Sequence, residues 1–78
     1  MIRMGDFEEI IKKYEELQGV FQKSANITGA IIALMKKAKE LEDEGKDDSE
    51  ESKKILKRIE DKTDEFAVQM IKIAKLAQ

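Results

Sequence analysis

Ser52, Leu56, Ile59, Thr63, Phe66, Met70, Ile73 and Ala77 fall at alternating steps of four and three, and the chain contains no proline to interrupt them. A repeat averaging 3.5 residues belongs to a helix that packs along another helix, so the first expectation is an all-α, coiled-coil-like fold. From Phe66 onward Ala67, Val68, Ile71, Ala74 and Leu76 widen the apolar surface and leave Gln69, Lys72 and Lys75 as a narrow polar strip. One neighbouring helix cannot cover so wide a face.

A second stripe runs through Phe7, Ile10, Ile11, Tyr14, Leu17 and Phe21, again at helical spacing. Asp6 is placed to cap this helix, with Glu9 three residues on, and Glu8 and Glu9 each precede a lysine by four residues. The segment 24–29, Ser-Ala-Asn-Ile-Thr-Gly, then weakens the helix by about 2 to 3 kcal/mol relative to alanine. Past it the stripe resumes as Ile27, Ile31, Leu34, Ala38 and Leu41, one residue early against the Phe7, Tyr14, Phe21 series. Such a slip reads as a stammer or kink in a continuous helix, or as a break with Ser24 or Asn26 capping a new one.

Residues 40–51 hold eight carboxylates and one lysine around Gly45, and there the apolar periodicity stops. A glycine C-cap followed by Asp48 or Ser49 as the next N-cap predicts a turn. The expected architecture is a single helical domain over 1–78. It is an antiparallel hairpin with a kinked long first helix, about 6–44 and 49–77, dimerising into a four-helix bundle. A three-helix bundle broken near 24–28 is the alternative. If the turn centres near residue 47, Leu76 comes level with Leu17, and the first helix from Phe7 to Tyr14 overhangs the hairpin.

The composition narrows the chemistry. With no His and no Cys, imidazole bases, thiol nucleophiles, disulfides and zinc fingers are excluded, as are the Glu-x-x-His ligands of di-iron bundles. Set against an EF-hand loop, residues 40–51 place Gly45 and Glu51 correctly, but Glu40 stands where Asp is expected and Asp47 where an apolar residue packs; a solvated acidic turn is the better reading. Glu60, Asp61, Asp64 and Glu65 lie mainly off the seam, so no apolar pocket is expected to tune a catalytic carboxylate. No cofactor, metal or small-molecule substrate is expected.

The net charge of -2 and the sparse aromatics argue against nucleic acid, although 14 basic against 9 acidic residues remain outside the turn. The longest apolar run, 27–35, is too short for a bilayer span of about 20 residues, and two lysines give the C-terminal helix little attraction for a lipid surface. The first six residues lack an apolar signal region, which predicts a cytoplasmic chain.

At 78 residues, with neither disulfide nor zinc to staple it, a lone core supplies only about 3 to 5 kcal/mol. Oligomerisation is the common remedy. The chain is therefore expected to be a non-enzymatic helical interaction or assembly module, an adaptor or regulatory protein. Its expected partners are itself, as a homodimer, or a helical segment of another protein. Phe7, Ile11, Tyr14, Leu17, Phe21, Phe66, Met70 and Ile73 are the expected interface. Two helices in about 80 residues around a polar turn also resemble, in architecture, the needle subunits and helical chaperones of type III secretion systems. The Pro-containing turn of the needle subunits is missing, and the resemblance implies a second class: a small helical chaperone, or a structural subunit of an export apparatus.

Overall fold

The computed structural model describes residues 4–78; residues 1–3, read above for a signal region, lie outside it. Two helices account for nearly all of it: α1, Met4–Asp43, and α2, Glu50–Leu76, packed antiparallel as a hairpin. Forty residues at 1.5 Å each need about 60 Å, and the hairpin measures 63 × 15 × 13 Å. The chain therefore does not fold back at 24–28. Asp6, expected as the cap, lies inside the first turn of α1, where its charge complements the positive end of the helix dipole.

The weak segment stays helical because its polar side chains are satisfied within the helix and its apolar ones are buried. Ser24 Oγ donates to the Val20 carbonyl at 2.8 Å, and Thr28 Oγ1 donates to the carbonyls of Ser24 and Ala25. Ser24 and Ile27 are both buried against α2. Tertiary packing here outweighs a local propensity deficit, as it does for most protein helices.

The turn is built from two complementary caps. Gly45, at φ 74, closes α1 as a Schellman motif, in which Lys46 N–H donates to the Leu41 carbonyl and Gly45 N–H to that of Glu42. Ser49 then accepts from Ser52 N–H as the N-cap of α2, and Glu50 and Glu51 fill the first turn. Only glycine adopts positive φ without strain, so Gly45→Ala should cost about 1 kcal/mol. The check is a thermal melt, with a drop of about 4 to 8 °C expected.

The seam between the helices differs from the expected one. On α1 the seam runs through the buried and half-buried Lys13, Leu17, Val20, Ser24, Ile27, Ile31, Leu34, Ala38 and Leu41, alternating steps of four and three with no stammer, and Thr28 and Ala30 are half-buried beside it. On α2 they are Ser52, Ile55, Ile59, Lys62, Phe66, Gln69, Ile73 and Leu76. Ser52, Ile59, Phe66 and Ile73 stand where expected. Leu56, Thr63, Met70 and Ala77 do not: they are exposed, and Ile55, Lys62, Gln69 and Leu76, each one residue earlier, take their place. The physical reason is that α2 has apolar side chains on both sides of its central stripe, and periodicity alone does not say which side its own hairpin partner uses.

Height along the hairpin follows the expected register. Matched layer by layer, the two seams set Leu41 with Ser52, Leu34 with Ile59, Ile27 with Phe66 and Leu17 with Leu76, so positions i and about 93 minus i are level. Leu17 and Tyr14 border one groove with Leu76 and Ala77, and Lys13 Nζ donates to the Gln78 carbonyl at 2.8 Å. Phe7, Ile10 and Ile11 stand beyond the end of α2, with Tyr14 at its edge.

Candidate interaction surface

The buried core is thin. Ile27, Leu41 and Ile55 are its only buried apolar residues among those described, accompanied by the polar Ser24, Ser52 and Gln69, and no large side chain is fully enclosed. Eleven large apolar residues are exposed instead. Their placement on the helices is what turns this into a surface.

On α1, Phe7, Tyr14, Phe21, Thr28 and Met35 recur every seven residues, one-seventh of a turn round from the Leu17, Ser24, Ile31 stripe. Ile11, Gln18, Ala25 and Ile32 interleave with them, so 7, 11, 14, 18, 21, 25, 28, 32 and 35 make a second complete heptad seam beside the first. On α2 the corresponding flank is Leu56, Glu60, Thr63, Ala67, Met70, Ala74 and Ala77. Both flanks are displaced from the inner seam in the same rotational sense. Because the helices run antiparallel, equal rotation about opposed axes carries both flanks to one side of the two-helix layer.

The opposite side confirms the geometry. Glu16 and Lys23 of α1 share a groove there with Gln69, Lys72 and Lys75 of α2, and Glu65 borders Lys23 in the adjoining one. That face carries charges on both helices, Lys37, Glu51 and Arg58 among them, interspersed with Asn26, Ala30, Ala33 and the exposed Val68. The layer thus has one polar and one apolar broad face.

Eight of the exposed residues sit on the apolar face: Phe7, Ile11, Tyr14, Phe21, Ile32, Met35, Leu56 and Met70. Tyr14 is 65% exposed, Phe21 54% and Leu56 56%. At about half of ~200 Å² each, they present roughly 800 Å² of apolar side chain, which is what one partner contributes to a stable interface. Ordinary monomers rarely leave a contiguous apolar patch of that size open.

Of the eight residues expected at the interface, Phe7, Ile11, Tyr14, Phe21 and Met70 lie on this face. Leu17, Phe66 and Ile73 are instead half-buried in the inner seam, where they hold the hairpin together. Ile32, Met35 and Leu56 complete the face, and sequence reasoning passed over them there. The seven-residue series from Phe21 to Met35 was the available signal, hidden by Thr28 at its middle position.

The charged groups that pair do so with near neighbours on their own helix or turn. The ion pairs are local and exposed, such as Lys39 with Asp43 at 3.6 Å and Lys62 with Glu65 at 3.0 Å, and such pairs contribute little to stability. Lys57 is held above its ordinary pKa by its hydrogen bond to Asp61 and by the charges of Asp61 and Glu60. The upward direction means that the ammonium keeps its proton slightly further into the alkaline range than a free lysine does. Among the described residues no three carboxylates converge as a metal site, and no helix is long and apolar enough to cross a membrane.

Comparison with known proteins finds no matching family model, no similar curated protein and no similar solved structure.

Proposed function

We propose that the chain is a non-enzymatic helical assembly module, an adaptor or regulatory protein, whose working part is the apolar face. The face closes against the same face of a second copy to give a dimeric four-helix bundle. The observation that carries this reading is the segregation of the layer: eight large apolar side chains on one side and charged residues along the other. A hairpin with three buried apolar residues gains little from folding alone. Pairing two such faces buries about 1,600 Å², the standard size for a stable complex.

Sedimentation equilibrium tests it. The expected mass is twice the 8.9 kDa of one chain, falling to one chain when Tyr14 is replaced by Asp. A well-folded wild-type monomer at high concentration would overturn self-association and favour the chaperone-like class, in which a foreign helix occupies the face.

A further inference from the structure

We infer that the two copies pair side by side in the same direction, turn beside turn, about a two-fold axis parallel to the helices. This rests on the self-association proposed above and adds which end meets which. A rotation about an axis along the helices preserves height, so α1 of one copy lies over α2 of the other in the register that the hairpin itself already sets. In that register Phe21 lies between the levels of Met70 and Ala74 of the second copy, and Tyr14 beside Ala77 at the end of its α2. Each ring thereby meets an exposed alanine on the apolar flank of α2. Large side chains over small ones are what interdigitating helix layers need, and no sliding is required to obtain it.

The overhang decides between this and the reversed arrangement. Beyond the end of α2, Ile10 points across the vacated inner seam, while Phe7 points toward the second copy. The direction midway between them is the diagonal of the bundle, where the α1 of a same-direction partner runs. Ile10 is 37% exposed and Phe7 50% in the single hairpin; both are covered when the two overhangs meet each other. In the reversed arrangement, where α1 lies over α1, Phe7 falls against the far end of the partner's α1. The flank there carries Lys39 and Glu42, and Ile10 stays in water.

The chain has no cysteine, so a single introduced thiol reports the arrangement. Asp47→Cys, in the exposed turn, carries a nitroxide spin label without touching either seam, and double electron–electron resonance reads the distance between the two labels in the full-length dimer. Helices about 10 Å apart put same-direction labels about 20 to 30 Å from each other. In the reversed arrangement the turns lie at opposite ends of a body 63 Å long, and the separation reaches roughly 60 Å or more. A main peak in the short range supports the inference. A labelled dimer lacking that peak overturns it while leaving self-association standing. A labelled and unlabelled chain that both sediment as monomers overturn the two together.

Discussion

Replacing Phe21 by aspartate should turn the dimer into a monomer. The residue sits at the middle of the outer seam, half exposed in one hairpin and enclosed on pairing. The substitution removes a large ring and leaves a carboxylate far from the nearest lysine of that flank, Lys39 at the other end of α1. An unpaired charge taken out of water costs several kcal/mol. The two-fold axis repeats the defect, so the dissociation constant should rise by at least about a thousandfold, at one decade per 1.4 kcal/mol.

Light scattering after size exclusion reads the change directly. Lys23→Glu, on the opposite, charged face, should leave the mass untouched. A Phe21→Asp protein of wild-type mass would remove the case for the apolar face. Phe66→Asp makes the contrast, because that ring lies in the inner seam: it should abolish helicity by circular dichroism rather than release an intact hairpin.

The inner seam also contains a polar member whose cost is measurable. Gln69 is only 3% exposed, level with Ser24 in the inner seam and bordering one groove with Val20. Gln69→Leu should raise the melting temperature by about 4 to 8 °C for each kcal/mol gained. A buried polar residue in a helical seam serves register more than stability, so the same variant should broaden the label distances from the turn. A sharper melt with unchanged distances would assign Gln69 no role in register.

How much of this was legible in the residue order follows from which symmetries a heptad repeat breaks. The hairpin was legible, because Gly45 and Ser49 bracket the only stretch without apolar periodicity and each has a local reason to stop or start a helix. The central stripe of α2, through Ser52, Ile59, Phe66 and Ile73, was legible too, since it belongs to the seam on either choice of flank. Which flank faces α1 was not. Leu56, Thr63, Met70 and Ala77 are together the more apolar choice, because the other flank includes Lys62 and Gln69, and by hydropathy alone they belong inside. The hairpin uses Ile55 and Gln69 instead and leaves the greasier flank outward. On α1 the same ambiguity took another form, in which Phe7, Tyr14 and Phe21 from the outer seam ran into Ile27, Leu34 and Leu41 from the inner one. Two unbroken seams side by side thereby read as one seam with a stammer. Two such seams suit a helix with neighbours on two sides, which the proposed dimer would supply.

The continuity of α1 across its weakest segment is testable in the same terms. Ile27 is 6% exposed and anchors that segment against α2, so Ile27→Ala should cost about 2 to 4 kcal/mol by lost transfer energy and the cavity left behind. At about 4 to 8 °C per kcal/mol, that lowers the melting temperature by roughly 10 to 25 °C, compared at equal protein concentration because association adds to apparent stability. If packing holds a poor helix together here, improving the helix should compensate. A β-carbon added at Gly29 would meet nothing within 4 Å, and Gly29→Ala should restore about 1 kcal/mol from propensity alone. The double variant is therefore expected to melt between the single Ile27→Ala protein and wild type, with helicity recovered in proportion. A fall confined to the ends of α1 in hydrogen exchange, with 24–29 still protected, would show that the segment is held by something other than Ile27.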